Sequence, residues 1–447
     1  MTQPLAAVVM AAGLGKRMRS ARAKHLHAVL GRRLVDWAVD AVRSLRPDPL
    51  VVVCSPETRK ELATTLPDGI ELAVQAEPRG TGDAVAAARD ALAGFDGDLL
   101  VTPGDAPLLT SDLLVHLVET HRQQAAAMTL LALETEKPLA YGRIVRDSDG
   151  RVARIVEDAD ATPEERGIRE LNASVYVFSA SALWPVLDRL DANNAQGELY
   201  LTGTVAHLVE DGLAVAVATT TDVWATQGVN NRVELAEAAA ALRARVLERH
   251  MLAGVTIVDP GTTWIDPDVR LERDAVIHPF TVLRGRTSVR ADAEVGPHVV
   301  AVDAEIGPGA AVGPFAYLRP GTAVEAGAKV GTFVEVKNSR IGERTKVPHL
   351  SYIGDADIGA DTNIGAGAIT ANFPHEPGRP KGRTTIGRNV RTGIHNGFEA
   401  PIEIGDGAWI GGGSYITDDV PRESLAIARA RQVTKEGYVR RKRSDDE

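Results

Sequence analysis

The fold of the C-terminal half can be recognised from the segment Ile353-Gly354-Asp355-Ala356-Asp357-Ile358-Gly359-Ala360-Asp361-Thr362-Asn363-Ile364-Gly365. An isoleucine followed by a glycine occurs in it three times, five and then six residues apart. Similar pairs, such as Val295-Gly296 and Ile404-Gly405, recur from about residue 255 onward. A hexapeptide repeat of this kind is the signature of a parallel β-helix, whose aliphatic side chains fill a narrow core. Aromatic residues make up only 4% of the chain, which suits a core without room for rings.

The N-terminal half, up to about residue 230, alternates strand-like and helix-like segments. Apolar runs at residues 6–10, 49–53 and 99–101 predict buried strands, and residues 35–45 predict a helix with one apolar face. This alternation predicts an α/β domain with a Rossmann-like, mostly parallel sheet covered by helices. Residues 231–252 are rich in Ala, Glu and Arg and predict a helical linker between the two halves.

Composition limits the classes of function. The 447 residues carry a net charge of -10 and have a pI of about 5.7, which argues against nucleic-acid binding. Cys54 is the single cysteine, so an internal disulfide is excluded. The chain does not begin with a basic stretch and an apolar run, and no apolar segment approaches the ~20 residues that span a membrane. We therefore expect a cytoplasmic protein without membrane insertion.

A glycine-rich turn with basic residues follows the first predicted strand. Its sequence is Ala11-Ala12-Gly13-Leu14-Gly15-Lys16-Arg17-Met18. Glycines let backbone N–H groups approach phosphates, and Arg17 and Lys24 add positive charge suited to a triphosphate. The turn lacks the Gly-Lys-Ser/Thr ending of a P-loop and the third glycine of a dinucleotide fingerprint. The plainer alternative is a simple tight turn.

An aspartate, Asp105, lies just past the predicted strand at residues 99–101. A carboxylate at this place can hold Mg²⁺ against phosphate oxygens. Ligands of parallel sheets bind outside the carboxyl ends of the strands, which places Asp105 and the glycine-rich turn at one edge. The alternative is an aspartate that caps a backbone amide of a turn.

Polar residues interrupt the hexapeptide repeat in its middle. Arg319 and Lys337 are 18 residues apart, so they are expected to stack on successive coils, and paired cations suit a sugar phosphate. His349 follows nearby, and an imidazole can act as a general base near neutral pH. The alternatives are a solvated basic edge and a merely exposed histidine.

Taken in order, these motifs resemble one enzyme family over nearly the whole chain. The matching segments are residues 11–18, Lys24, Gln75, Gly80-Thr81, Gly104-Asp105, residues 141–144, residues 155–157, Asn172 and residues 229–232, together with the β-helix motifs. The chain is similar to the bifunctional N-acetylglucosamine-1-phosphate uridyltransferases/glucosamine-1-phosphate acetyltransferases. The resemblance implies a nucleotidyltransferase (pyrophosphorylase) domain at 1–230, the linker at 231–252, and a left-handed β-helix acetyltransferase domain with a C-terminal tail at 253–447. It also implies a homotrimer.

The resemblance implies two reactions and their sites. Glucosamine-1-phosphate is acetylated by acetyl-CoA, and the N-acetylglucosamine-1-phosphate formed is then coupled to UMP from UTP, with Mg²⁺ and release of pyrophosphate. The implied substrate residues of uridylyl transfer are Met10, Ala11, Ala12, Gly13, Lys24, Gln75, Gly80, Thr81, Pro103, Gly104, Asp105, Gly142, Glu157, Asn172 and Asn230. Asp105 and Asn230 are the implied Mg²⁺ ligands, and Arg17 and Lys24 stabilise charge at the α-phosphorus. The product supplies cell-envelope polymers such as peptidoglycan and lipopolysaccharide.

For acetyl transfer, the resemblance implies that His349 takes a proton from the attacking amine. The implied ligands of glucosamine-1-phosphate are Arg319, Lys337, Tyr352 and Asn363, and those of acetyl-CoA are Ala366, Asn372, Phe373, Ile394, Gly412 and Arg429. The site is completed by neighbouring chains of the trimer in this family.

Several positions depart from the family pattern. Ala23 replaces a proline, Ala173-Ser174 replaces Thr-Gly, and Gly203 replaces an aspartate. Ile394 stands where a serine is usual, and the proline-rich loop 374–381 is longer by about three residues. An alternative is therefore a sugar-1-phosphate nucleotidyltransferase whose β-helix serves only oligomerisation. A further alternative is a non-catalytic subunit of a pyrophosphorylase.

Overall fold

The chain divides into two units, Met1–Leu242 and Arg243–Glu447. The structure, a computed structural model, describes residues 3–13, 15–137, 139–374, 378 and 380–445. The helix predicted at residues 231–252 is present as Arg232–Leu252, and the division between the units falls inside it. The domain limits at residues 230 and 253 stay a prediction.

Buried apolar runs form the central strands of the first unit, as predicted at residues 6–10, 49–53 and 99–101. Its strands are β1 (Leu5–Ala11), β2 (Ala28–Val29), β3 (Arg32–Arg33), β4 (Leu50–Cys54), β5 (Ile70–Val74), β6 (Asp98–Pro103), β7 (Met128–Glu134), β8 (Arg143–Arg146), β9 (Val152–Val156), β10 (Glu170–Ser179) and β11 (Val215–Thr220). Along β1, Ala6 and Val8 pack into the core on one side of the sheet, and Ala7 and Val9 into the core on the other. A strand buried on both faces reads as an unbroken apolar run.

The main sheet of the first unit is mixed. Its order is β11-β7-β10-β6-β1-β4-β5, with β8 and β9 attached beside β10. β6, β1, β4 and β5 are parallel neighbours, whereas β10 runs antiparallel to β6 and β7. The predicted parallel arrangement is thus present around β1, and the carboxyl ends of these four strands meet at one edge.

Helices connect and cover these strands. They are α1 (Leu34–Arg43), α2 (Arg59–Thr65), α3 (Thr81–Ala87), α4 (Ser111–Gln123), α5 (Pro163–Arg166), α6 (Ala180–Leu187), α7 (Gly203–Glu210), α8 (Val223–Thr226) and α9 (Arg232–Leu252), with α10 (Tyr438–Asp445) in the C-terminal tail. α1 confirms the helix predicted at residues 35–45, and its apolar face, including Val35 and Val39, is buried. Single 3-10 turns occur at Lys16–Met18, Lys24–Leu26 and Asp90–Leu92. No helix in the described part of the chain is long and apolar enough to cross a membrane.

The second unit is a left-handed parallel β-helix with three faces. Short strands of successive coils pair in parallel, about 17 or 18 residues apart, as in Val330 with Val347 and Val336 with Ile353. The isoleucines of the repeat, such as Ile358 and Ile364, are completely buried. The hexapeptide prediction is therefore confirmed, because these aliphatic positions form the core.

The strands of the three faces follow one another along the chain. Face one contains Thr256–Ile257, Val276–Ile277, Glu294–Val295, Ala311–Val312, Lys329–Thr332, Lys346–His349, Arg391–Thr392, Trp409–Ile410 and Leu425–Ala426. Face two contains Trp264–Ile265, Val282–Arg284, Val300–Val302, Tyr317–Leu318, Glu335–Lys337, Tyr352–Gly354, Ile369–Ala371, Gly397–Glu399 and Tyr415–Ile416. Face three contains Arg270–Leu271, Ser288–Val289, Glu305–Ile306, Ala323–Val324, Arg340–Ile341, Ala356–Ile358, Thr384–Ile386 and Ile402–Ile404.

Two corners flank face two and position its polar residues. The first corner precedes each strand of face two, and its turn residues have positive φ: Phe280, His298, Phe315, Phe333, Leu350, Gly367, His395 and Gly413. The second corner follows each strand of face two and includes Asp303, Asn338 and Asp355, also with positive φ, and then Asn372. Side chains of successive coils therefore stack in columns, which are mostly aromatic or apolar along the first corner and polar along the second.

Candidate active sites

A cavity of about 570 Å³ lies at the carboxyl edge of the four parallel strands in the first unit. The residues that line it are Met10, Ala12, Gly13, Gly15, Lys16, Arg17, Lys24, His25, Gln75, Pro78, Gly80, Thr81, Ala84, Pro103, Asp105, Gln196, Glu198 and Asn230. Eleven of the residues predicted for uridylyl transfer are among them, and Ala11 and Gly104 belong to the same segments. The edge of the sheet thus gathers residues that are up to 220 positions apart in the sequence.

Lys24, Asp105 and Asn230 meet at this cavity. Lys24 Nζ donates to the Asp105 carboxylate and, at 3.2 Å, to Asn230 Oδ1. The backbone fixes the arrangement, because Val229 N donates to Asp105 O at 2.9 Å. Burial of Asp105 would raise the pKa of its carboxyl, but the nearby Lys24 and His25 outweigh burial and lower it. Asp105 is therefore held as an anion.

These oxygens fit a magnesium ion that also binds phosphate. A carboxylate oxygen and an amide oxygen both contact the Lys24 ammonium group, so two oxygens of the kind that Mg²⁺ prefers lie close together. A Cβ on Gly228 would lie 3.4 Å from Asp105 Oδ1, so the glycine leaves that oxygen open to approach. Within the described ranges, no three His, Cys, Asp or Glu side chains gather as a metal site. Water and phosphate oxygens would complete the coordination, as is usual for Mg²⁺.

The glycine-rich turn packs directly against Lys24. Gly15 has φ of 58°, and a Cβ there would lie 2.5 Å from Lys24 Cβ. Only glycine permits both this conformation and this approach. Lys16 and Arg17 follow in a 3-10 turn, are exposed, and line the cavity. The turn therefore presents positive charge to the cavity, as a phosphate site requires.

Gln75, Gly80 and Thr81 form the opposite wall of the cavity. Gln75 Nε2 donates to Gly80 O at 3.0 Å and to Asp83 Oδ2 at 2.8 Å. Gly80 has φ of 113°, and a Cβ there would lie 2.6 Å from the backbone of Leu199. The Thr81 hydroxyl accepts a hydrogen bond from Leu201 N at 2.9 Å. This wall is thus fixed by backbone contacts with the loop before α7.

Gly142, Glu157 and Asn172, predicted to hold the sugar, lie together beside that wall. Asn172 N donates to Gly142 O at 2.8 Å, and a Cβ on Gly142 would lie 3.4 Å from Glu157 Oε2. Thr202 Oγ1 donates to Glu157 Oε1 at 2.9 Å, so residues 201–202 connect this cluster to Thr81. Burial raises the pKa of the Glu157 carboxyl. The departure Ala173-Ser174 lies here, and Ser174 adopts φ of 58°.

The cavity also contains residues that sequence reasoning missed. Gln196 and Glu198 come from a loop without a motif, which backbone hydrogen bonds hold over Gly80, such as Leu199 N to Arg79 O at 2.7 Å. His25 is almost completely buried, and burial lowers its pKa to about 4. Its position next to Lys24 was the one feature of the sequence that could have indicated that His25 belongs to the site.

In the second unit, three of the four predicted sugar-phosphate residues, Arg319, Lys337 and Tyr352, lie on or directly after strands of face two. Arg319 and Lys337 stand on successive coils, as predicted, because Leu318 pairs with Val336. Arg319 donates to Glu335 at 2.9 Å, and Lys337 Nζ lies 3.6 Å from Asp355 Oδ2. The structure adds a third cation, Lys381, which the sequence analysis did not predict.

Lys381 belongs to this cationic group through its neighbours. Interaction with Lys337 lowers the pKa of the Lys381 ammonium group. Its Nζ lies 5.8 Å from the centre of the Phe373 ring. Lys381 therefore lies between Lys337 and Phe373, a residue predicted to contact acetyl-CoA. Residues 375, 376, 377 and 379 of the 374–381 loop lie outside the described residues.

Tyr352 and Asn372 are neighbours of this cluster. A Cβ on Gly354 would lie 2.3 Å from the Tyr352 hydroxyl, so the ring lies along its own strand over the glycine. Asn372 Nδ2 lies 3.5 Å from the Tyr352 hydroxyl and also donates to Asp355. The second corner thus joins a predicted sugar-phosphate ligand to a predicted acetyl-CoA ligand.

His349 stands on the other side of face two, at the first corner. Its side chain is exposed, and its backbone oxygen accepts from Ser351 Oγ at 2.7 Å and from Gly367 N at 3.3 Å. On the coils above, His395 N donates to Ala366 O at 2.7 Å, and Gly413 N donates to Ile394 O at 2.8 Å.

The other predicted acetyl-CoA residues continue this corner. A Cβ on Gly412 would lie 3.4 Å from Ile394 O, and a Cβ on Gly413 would lie 3.7 Å from Arg429 Cδ. Ile394 is 58% exposed. Asn363 lies on face one, where its backbone forms isolated parallel β-bridges with Lys346 and Arg391. Apart from Asn363, the predicted acetyl-transfer residues therefore form two groups, one near each corner of face two.

Comparison with known proteins agrees with both units. The nucleotidyl transferase family model matches residues 6–241. The bifunctional protein GlmU of Mycobacterium tuberculosis (strain ATCC 25177 / H37Ra) is 48% identical over 461 residues, which cover 98% of this chain and 92% of that protein. Bifunctional GlmU proteins of Mycolicibacterium vanbaalenii and Corynebacterium efficiens are 46% and 45% identical, over 98% of this chain and 93% and 94% of their own lengths. The chain therefore belongs to the family of bifunctional GlmU proteins.

Proposed function

We propose that this bifunctional enzyme acetylates glucosamine-1-phosphate with acetyl-CoA in the β-helix and then transfers uridylyl from UTP to the product in the first unit. The observation that carries the proposal is a separate cationic site in each unit. One contains Lys24, Arg17 and the Asp105 carboxylate, and the other contains Arg319 and Lys337. Two cationic sites in one chain, each suited to a phosphate, fit an enzyme whose second reaction uses the sugar phosphate made by the first.

Uridylyl transfer needs positioning and charge neutralisation, without a covalent intermediate. A phosphate oxygen of N-acetylglucosamine-1-phosphate attacks the α-phosphorus of UTP, the bond to the β-phosphate breaks, and pyrophosphate leaves. Lys24 and Arg17 stabilise the negative charge of the transition state, while Gln75 and Gly80 hold the nucleotide. Mg²⁺, held by Asp105 and Asn230, would neutralise phosphate charge.

Acetyl transfer requires a base beside the sugar amine. His349 accepts a proton as the amine nitrogen attacks the thioester carbonyl, and the CoA thiolate leaves and takes up a proton. Arg319, Lys337 and Lys381 neutralise the sugar phosphate, and Tyr352 and Asn363 position the sugar. Ala366, Asn372, Phe373, Ile394, Gly412 and Arg429 contact the acyl donor in this proposal. UTP and acetyl-CoA are cytoplasmic metabolites, so the proposal places both reactions in the cytoplasm, where UDP-N-acetylglucosamine would supply cell-envelope polymers.

A column of exposed apolar side chains on the first corner supports a homotrimer. The rings of Phe280, His298 and Phe315 stack at centroid distances of 4.7 Å, and Phe333 follows at 5.2 Å. Phe280, Phe315 and Phe333 are 51%, 47% and 58% exposed in the single chain. An exposed apolar stripe on a solenoid suits association with further copies. The column continues to Leu350, beside His349, so a copy packed on it would reach the acetyl-transfer site.

The substitution Phe315→Asp is therefore expected to dissociate the trimer. It places a charge in the middle of the column, and burying an unpaired carboxylate is unfavourable. Light scattering should give a mass near the 47.5 kDa of one chain instead of three times that value. Acetyl transfer should be lost, whereas uridylyl transfer should remain. Val115→Asp, at an exposed position of α4, should leave the mass unchanged, and a trimeric Phe315→Asp variant would contradict the assignment.

The proposed function is tested by following both products with the purified chain. Release of the CoA thiol is measured with glucosamine-1-phosphate and acetyl-CoA, and release of pyrophosphate with UTP, N-acetylglucosamine-1-phosphate and Mg²⁺. We expect both products to form at rates typical of enzymes, on the order of 1–1000 per second. Pyrophosphate without CoA release would instead support the alternative in which the β-helix only assembles the oligomer. The exposed Ile394 is the feature that favours this second candidate.

A further inference from the structure

One carboxylate, that of Asp355, connects three coils at the second corner. Asn338 Nδ2 donates to its Oδ1 at 2.6 Å from the coil before, and Asn372 Nδ2 donates to its Oδ2 from the coil after. Lys337 Nζ also lies 3.6 Å from Oδ2. Asp355 is only 8% exposed, so this carboxylate is largely removed from water. Its partners include a predicted ligand of each acetyl-transfer substrate.

The chemistry of a carboxylate dictates how the Asn372 amide is oriented. An ionised carboxylate can only accept hydrogen bonds, so the amide must present its NH₂ group to Asp355. The same nitrogen also faces the Tyr352 hydroxyl oxygen at 3.5 Å. Both contacts of Asn372 therefore use Nδ2, and Oδ1 is the atom left to accept a hydrogen bond from a ligand.

Asp355 is held in its ionised form. Burial would raise the pKa of its carboxyl, but the hydrogen bonds from Asn338 and Asn372 and the charges of Lys337 and Lys381 outweigh burial and lower it. The backbone also fixes the residue, because Asp355 N donates to Lys337 O at 2.9 Å, and Thr384 N donates to Asp355 O at 3.1 Å.

We propose that Asp355 is a positioning residue for acetyl transfer, which orients Asn372 so that Oδ1 accepts a hydrogen bond from an amide N–H of the acyl donor. Its negative charge also offsets part of the positive charge of the sugar-phosphate site. The inference rests on the proposed acetyl transfer and goes beyond it by assigning a role to a residue outside both substrate contacts. It predicts that loss of the Asp355 charge weakens binding of the acyl donor but does not weaken binding of the sugar phosphate.

The substitution Asp355→Asn tests this inference because it keeps the shape and removes the charge. Asn338 and Asn372 donate to different oxygens of Asp355, and an amide has only one oxygen. The asparagine variant can therefore accept only one of these two hydrogen bonds in the present geometry. We expect the KM for acetyl-CoA to rise about tenfold, as expected for the loss of one oriented hydrogen bond. The KM for glucosamine-1-phosphate should stay unchanged or fall, because the positive charge of Lys337 is no longer offset by the carboxylate.

A double-mutant cycle separates positioning from general damage. If Asp355 acts through Asn372, Asn372→Ala should raise the KM for acetyl-CoA, and adding Asp355→Asn should raise it no further. Asp303→Asn is the matched control, because Asp303 occupies the same corner with positive φ but accepts a hydrogen bond from Arg286 N at 2.9 Å. Its KM values should equal those of the unsubstituted enzyme.

The outcomes distinguish this inference from the proposed function. An unsubstituted enzyme without CoA release would reject the proposed acetyl transfer itself. If that enzyme is active, any of three results would overturn the role of Asp355. They are equal rises in the KM for acetyl-CoA and the KM for glucosamine-1-phosphate, an unchanged KM for acetyl-CoA, and additive effects of the two substitutions in the cycle. If Asp355→Asn lowers the thermal midpoint too far for assay, the cycle is carried out with Asp355→Ser, and the same comparison decides.

Discussion

The substitution His349→Ala should slow acetyl transfer by a factor of about 100 or more while leaving uridylyl transfer unchanged. General bases contribute about 100-fold to 10,000-fold to rate, and His349 is the base in the proposed acetyl transfer. The loss should appear in kcat for CoA release. Because the two reactions use separate units, pyrophosphate release from the same preparation provides an internal control for folding.

The position of His349 allows its side chain to be removed without disturbing the fold. Its exposed imidazole can be removed without loss of the contacts of its backbone oxygen, with Ser351 Oγ and Gly367 N. The thermal midpoint should therefore stay close to that of the unsubstituted enzyme. Added imidazole should restore part of the lost rate, because it supplies the missing base.

A matched histidine provides the control for His349→Ala. His278 is on the same β-helix, and its Nε2 contacts Glu294 at 2.7 Å. His278→Ala should leave both reactions unchanged. A His349→Ala variant that keeps more than a third of the acetyl-transfer rate would show that the base is another group, or that the amine loses its proton to water.

Periodicity explains why the fold could be predicted from the sequence. Each coil of the β-helix requires an aliphatic residue at the same places, so the repeat itself predicts that positions such as Ile358 and Ile364 are buried. The central strands of the first unit could also be predicted, because a strand buried on both faces, such as β1, has an unbroken apolar sequence. The antiparallel direction of β10 could not be predicted, because the direction of a strand depends on its connections and not on its composition.

The candidate sites were predictable only where a motif accompanied the residue. The glycine-rich turn and Asp105 have local patterns, but the pairing of Lys24 with Asp105 joins residues 81 positions apart. Gln196 and Glu198 reach the cavity through backbone hydrogen bonds of a loop without any pattern. Lys381 and Asp355 are similar cases, since their importance comes from stacking of coils and from a loop of unusual length.

The substitution Asp105→Asn should abolish most uridylyl transfer and leave acetyl transfer intact. It keeps the shape of the side chain and the backbone contact of Asp105 O with Val229 N at 2.9 Å. It removes the negative charge that holds Lys24 and that would bind Mg²⁺. We expect kcat for pyrophosphate release to fall about 1000-fold, which equals about 4 kcal/mol of transition-state stabilisation.

A magnesium titration identifies the cause of that loss. If Asp105 binds the ion, the concentration of Mg²⁺ for half-maximal rate should rise in Asp105→Asn, because a neutral amide is a weaker ligand than a carboxylate. Chelation with EDTA should stop pyrophosphate release in the unsubstituted enzyme and should not affect CoA release. Asp188→Asn, which removes an exposed partner of Arg89, is the control that should change neither rate. An Asp105→Asn variant with more than a tenth of the normal rate and an unchanged Mg²⁺ requirement would mean that Asp105 only holds Lys24 in place, and the metal would then have to bind elsewhere along the phosphates.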